Sequence, residues 1–215
     1  MAREKKRAHR LDIYWGRPVP GFGDPDARLL LVGLAPAAHG ANRTGRVFTG
    51  DGSGDFLMSA LHRSGFANIP TSRHADDGLQ LTDAYILSAV RCAPPDNKPR
   101  PEEIARCLGH LDAELEQLPR IRAVVALGKI GFDAWLQRQR RRGVVYAPKP
   151  QFGHGVVVVP GQADVRRAGS AQQTRRALPA LIGCYHPSRQ NTNTGRLTAA
   201  MMDSVFRKAR RLLDR

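Results

Sequence analysis

The sequence predicts an α/β fold in which a mostly parallel sheet is covered by helices on both faces. Two observations predict it. Short apolar runs, Leu29–Val32, Asp83–Val90, Ala123–Leu127 and Leu181–Tyr185, alternate with stretches of helical spacing. In addition, Gly33, Cys92, Gly128 and His186 each stand just past such a run. Their loops can therefore converge on one edge of the sheet, where open α/β sheets bind ligands.

The elements follow in order. Residues 1–28 are basic and then rich in Pro and Gly, which reads as an arm wrapping the surface of a single domain spanning 29–215. Leu29–Gly33 is a buried strand leading into a long Gly-rich loop. A helix near Asp55–Ser64 carries Phe56, Leu57, Ala60 and Leu61 at helical spacing. Asp83–Val90 is the second strand. Pro101, Glu102 and Glu103 make a favourable first turn for a helix over Pro101–Leu118, because Pro presets φ and acids complement the dipole. Its apolar stripe is Ile104, Leu108, Leu111, Leu115 and Leu118. Ala123–Leu127 is the third strand and leads to a helix near Ile130–Gln139. Val156–Val159 is a short strand, and Gly161–Arg176, Arg-rich and aperiodic, is expected to be a mobile surface loop. Leu181–Tyr185 is the last core strand. Thr198 can cap a closing helix with Met202, Val205, Phe206, Ala209 and Leu213 on its apolar face.

Composition narrows the partner. A chain of 215 residues fits one domain with a well-buried core. Lys plus Arg number 34 against 19 Asp plus Glu, a formal charge of +15 that suggests a polyanion, nucleic acid before membrane surface. No apolar stretch approaches the ~20 residues that span a bilayer. The basic first residues lack the apolar core of a secretory signal. Three cysteines do not suggest a disulfide framework. A cytoplasmic, nucleoid-associated monomer is expected.

Two remote segments look like halves of one base-excising site. Gly33-Leu-Ala-Pro-Ala-Ala-His-Gly-Ala-Asn-Arg-Thr-Gly-Arg-Val-Phe-Thr-Gly-Asp51 ends in a Phe suited to stacking on a flat ring and an Asp suited to handling water. His186-Pro-Ser-Arg-Gln-Asn191 supplies an imidazole able to donate to a leaving base. With Val90-Arg-Cys-Ala-Pro-Pro-Asp-Asn-Lys98 and the continuation of the last motif to Thr198, these segments resemble the uracil-DNA glycosylase superfamily, most closely its type B, or family 5, members. The resemblance runs from about Tyr14 to the last helix. It implies a three-layer α/β/α sandwich with a central four-stranded, mostly parallel sheet and a role in DNA repair.

Cleaving the bond between a base and deoxyribose leaves an oxocarbenium-like sugar and an anionic base. Negative charge and a held water are needed near the sugar, and donors near the base oxygen. The base must first leave the stack. Asp51 is the candidate for water and sugar. In related families that role falls within the Gly-x-x-Pro motif, where Ala35 stands here and cannot perform it. The alternative for Asp51 is a helix cap before Gly52 and Ser53. His186 is the candidate donor; its alternative is a histidine satisfying a strand-end carbonyl. Phe48 matches the stacking position, against an ordinary core Phe. Backbone groups of Gly33, Leu34, Ala35, Pro36 and Ala37 are expected to help read the base edge. Asn97 resembles a second family 5 active-site position, though a turn Asn fits as well. His39 and His154 read as structural or loop histidines.

Ser88 stands where a uracil-selective relative carries Asn. A hydroxyl reads an edge less strictly than an amide, so hypoxanthine and other deaminated bases are expected substrates beside uracil. DNA contacts are expected from Arg43, Arg46, Ser188, Arg189, Asn191 and Arg196. In the family, Cys92 and Cys107 join an N-terminal Cys-x-x-Cys around a [4Fe–4S] cluster, which needs four thiolates. The sequence has no Cys before Cys92, so the cluster ligands are incomplete. A natural start upstream of Met1 is favoured over loss of the cluster, because the pair keeps cluster-like spacing. Cys184 reads as a core residue. No nucleotide cofactor is expected, and no Lys is placed for strand-cutting Schiff-base chemistry. The expected activity is that of a monofunctional DNA glycosylase leaving an abasic site. A nucleoside or nucleotide hydrolase and a lesion-binding protein without turnover are the rivals.

Overall fold

A computed structural model describes residues 5–160, the strand at 164–167, and 177–214. Four parallel strands form its centre: β2 (Leu29–Gly33), β3 (Ala84–Ser88), β4 (Ala123–Leu127) and β8 (Ala180–Cys184), ordered β3-β2-β4-β8. Leu29 pairs with Ala84 on one side and Ala123 on the other, and Ala123 with Ala180. The sheet has six strands, not four. β1 (Phe22–Gly23) adds antiparallel beside β3, and β6 (Val157–Val158) adds antiparallel beside β8. β6 lies within the expected short strand Val156–Val159, whereas the two residues of β1 are too few to leave a period in the sequence. A separate ribbon pairs β5 (Val144–Ala147) with β7 (Asp164–Arg167), so part of the expected loop at Gly161–Arg176 is a strand. The rest of that loop lies outside the described residues.

Every residue of β2, β4 and β8 is buried. Alternation sends their side chains to two separate cores. Leu29, Leu31, Val125 and Ile182 face α2 (Gly52–Arg63) and α6 (Ala199–Leu213), meeting Leu57, Leu61, Val205 and Phe206. Leu30, Val32, Val124 and Leu181 face α3 (Pro101–Glu116) and α4 (Lys129–Arg141), meeting Leu108, Leu111, Phe132 and Trp135. This is the three-layer sandwich. Thr198 caps α6 by accepting from the Met201 N–H. Val19 and Ala27 are buried and Phe22 lies in the sheet, so the end of the basic arm is packed structure rather than wrapping.

Parallel pairing places the carboxyl ends of all four central strands on one edge. The order extends past β2 and β3: Ala89 N–H donates to Gly33 O at 2.9 Å and Val90 N–H to Leu34 O at 2.9 Å. Two short helices, α1 (Ala41–Thr44) and α5 (Arg189–Asn193), stand in the loops at that edge.

Candidate active site

The loop after β2 is shaped by close approaches that glycine permits. A Cβ on Gly33 would lie 2.8 Å from Phe48 Cε2, so the bare strand end lets the Phe48 ring lie across it. Phe48 itself adopts φ 50°, a left-handed conformation costing about 1–3 kcal/mol for a residue with a side chain. Gly54 accommodates the Phe48 carbonyl, which a Cβ there would meet at 2.2 Å. Asp51 then starts α2. Its Oδ1 accepts the backbone N–H groups of Ser53 and Gly54, each at 2.9 Å. Its Oδ2 lies over Gly40, where a Cβ would come within 2.2 Å. Asp51 is therefore a helix cap with one oxygen, and its second oxygen is not used in that cap.

The loop after β8 supplies His186. Gly128, at φ 89°, follows β4 beside it; a Cβ there would stand 3.2 Å from the His186 Cβ. Asn191 Nδ2–H donates to the His186 carbonyl at 2.8 Å. The ring centroid is 5.8 Å from that of Phe48, with planes 33° apart. Its nitrogens make no hydrogen bond among the described residues. Burial pushes its pKa down to about 4, so the imidazole is neutral at pH 7 with one N–H to donate.

Asp51, Phe48, His186 and Ser88 line one hollow of about 40 Å³, walled by Ala35, Pro36 and Ala37. Ala41 and Ser53 complete it and were not expected from sequence. Ser53 had a readable signal, its place in the helix turn that Asp51 caps. Ala41 had none. Larger hollows lie beside Trp135 (170 Å³) and between Arg63 and Arg210 (350 Å³), but neither joins a carboxylate to an imidazole. Chemistry rather than size selects the site.

Other expected residues lie elsewhere or have other work. Asn97 is exposed in a 3-10 turn, Pro95–Asn97, and does not line the hollow. Arg46, expected as a phosphate contact, is turned into the protein: its side chain is 5% exposed and paired with Asp77 at 2.7 Å. Its other N–H groups donate to Thr49, Ser72 and the Ala75 carbonyl. Arg43 is likewise engaged, by His39 and Gly50 of its own loop and by Asp12 of the arm. Ser188 caps α5 and Asn191 secures His186. Arg189 and Arg196 are exposed, the first against Gly52 at the start of α2, the second over the Tyr185 ring at 5.0 Å. His39 bonds the Tyr14 hydroxyl at 2.8 Å, and His154 Nδ1 accepts from Tyr185 N–H at 3.2 Å.

Cys92 is exposed and Cys107 partly so. Burial, then Cys107 and Glu103, raise the Cys92 thiol. Cys184 is buried in the core, its thiol pushed up to about 12 by burial. Among the described residues no three His, Cys, Asp or Glu side chains are placed to hold a metal. Two neighbouring thiols do not by themselves fit a cluster that takes four.

Residues 20–210 match the family model for the uracil DNA glycosylase superfamily. The chain belongs to the uracil-DNA glycosylase superfamily. Within the superfamily, the chain is 53% identical to the type-5 uracil-DNA glycosylase of Mycobacterium tuberculosis (strain CDC 1551 / Oshkosh), over 97% of this chain and 71% of that one. It is 47% identical to the type-5 uracil-DNA glycosylase of Thermus thermophilus, over 97% and 86%. Similarity to the type-4 uracil-DNA glycosylase of Pyrobaculum aerophilum is lower, 32% over 61% of this chain and 60% of that one. No helix among the described residues is long and apolar enough to cross a membrane.

Proposed function

We propose that this superfamily member is a family 5 glycosylase that excises uracil from DNA and leaves an abasic site. The observation that carries the proposal is the convergence of Asp51, Phe48 and His186 on one hollow at the carboxyl edge of the sheet. The extruded base stacks on Phe48. Asp51 orients a water toward C1′ and stabilises the sugar cation. His186, neutral, donates its N–H to the base oxygen as negative charge gathers there. Ser88 meets the base edge, and its hydroxyl, donor and acceptor in one rotor, accepts uracil and deaminated purines such as hypoxanthine. Arg189 and Arg196 contact the DNA backbone beside the site.

Asp51→Asn separates the carboxylate's two duties. Asn caps helices about as well as Asp, so the fold and melting temperature are expected to stay close to wild type. Release of free uracil from a single-uracil duplex is expected to fall by at least about a hundredfold. Undiminished release by this variant would remove Asp51 from the chemistry. The same assay with hypoxanthine substrates checks the broader range; strict uracil preference would refute that part.

A further inference from the structure

Arg43 reads from sequence as a phosphate contact, yet its three nitrogens are committed to the protein. Nε–H donates to the His39 carbonyl at 2.9 Å, Nη2 to the Gly50 carbonyl at 3.1 Å, and Nη1 to the Asp12 carboxylate at 3.0 Å. The positions it grips bear on Asp51 from both sides. Gly50 immediately precedes Asp51. His39 immediately precedes Gly40, the residue over which Asp51 Oδ2 lies. Gly50, at φ 80°, leaves room for the guanidinium; a Cβ there would meet Nη2 at 2.5 Å. The third partner, Asp12, comes from the basic arm. That arm is held to the loop by Trp15 N–H to Arg43 O at 3.0 Å and Gly16 N–H to Asn42 O at 3.1 Å.

We infer that Arg43, steadied by Asp12, is a positioning residue that fixes the Asp51 carboxylate for the reaction. The inference rests on the excision chemistry proposed above. A planar guanidinium donates along several fixed directions at once, whereas a lysine ammonium is a single point and cannot span three acceptors in the same way. Displacing a reacting group by about 1 Å costs up to about a hundredfold in rate.

Single-turnover uracil excision, duplex affinity across a salt series and melting temperature are measured for the wild type, Arg43→Lys, Arg43→Ala and Asp12→Asn, each also combined with Asp51→Asn. The bound-substrate rate constant is expected to fall about tenfold in Arg43→Lys, further in Arg43→Ala, and severalfold in Asp12→Asn. Affinity and its salt slope are expected to stay near wild type. In the Asp51→Asn background the same changes should cost little more, because Arg43 acts through that carboxylate. Asp12→Asn and Arg43→Lys keep the test open if Arg43→Ala fails to fold. Unchanged rate constants with weaker binding and a shallower salt slope would return Arg43 to a phosphate contact and overturn the inference. Equal losses with and without the Asp51 carboxylate would overturn it too. Failure of the wild type to release uracil would instead sink the proposed function, and this inference with it.

Discussion

His186 shows how burial sets a residue's chemistry. With its pKa pushed down to about 4 from an ordinary 6.5, the folded state refuses a proton that the unfolded chain accepts. Stability from this group is present above pH 6.5 and is lost as pH falls toward 4, by an amount on the order of 3 kcal/mol. Between pH 5 and 8 the folded ring stays neutral, so His186 should add no inflection to the excision rate over that range. His186→Ala should lower the rate about 10²–10³-fold, the usual cost of losing one donor to a developing anion. A rate profile measured from pH 5 to 8 checks both; a wild-type inflection near 6.5 that vanishes in His186→Ala would contradict the neutral donor. That Asp51, Phe48 and His186 share one hollow was legible from residue type, because an acid, a ring and an imidazole in glycine-rich loops are poor choices for a core. Asp51's alternatives proved compatible: a carboxylate has two oxygens, and only Oδ1 is spent on the cap.

Arg46 and Arg43 belong to one loop with Asp51, and an Arg in a glycine-rich loop looks like a phosphate contact. Whether an acid folds back onto it depends on distant chain: Asp77 reaches Arg46 from 31 residues away. Burial works to raise the Asp77 carboxyl, but Arg46 and the N–H groups of Arg73 and Leu79 outweigh it and hold the pKa at about 2. That stability is present above pH 3.8 and lost as pH falls through 2. Arg46→Ala strands Asp77 in a buried setting and is expected to destabilise the fold by about 3–5 kcal/mol in denaturant titration. The salt slope of DNA binding should remain unchanged; a slope shallower by about one counterion would mean that Arg46 does meet a phosphate. Strands with continuous apolar runs, such as Leu29–Gly33 and Ala123–Leu127, were legible to the residue. Phe22–Gly23 was not, since two residues in a Pro- and Gly-rich stretch owe their strand character to the neighbouring Ile86 and Tyr85.

At the scale of the molecule, parallel pairing makes the site. Gly33 and His186 are distant in sequence, but β2, β4 and β8 run side by side, so both loops leave the sheet on one edge. The basic arm closes against the first loop through Asp12, Tyr14 and Trp15. Its sequence showed charge and turn residues but could not show this docking, which depends on partners in the loop. The formal charge of +15 agrees with a polyanionic substrate, although two of the arginines expected to meet it are occupied inside the fold. The most direct measurement of the central claim is a crystal structure of the Asp51→Asn variant with a duplex containing one uracil. The uracil should be out of the stack, against the Phe48 ring, with a His186 nitrogen within hydrogen-bond distance of a base oxygen and the substituted amide facing the sugar. A uracil found stacked in the duplex, or bound in another hollow with Phe48 and His186 untouched, would contradict the account.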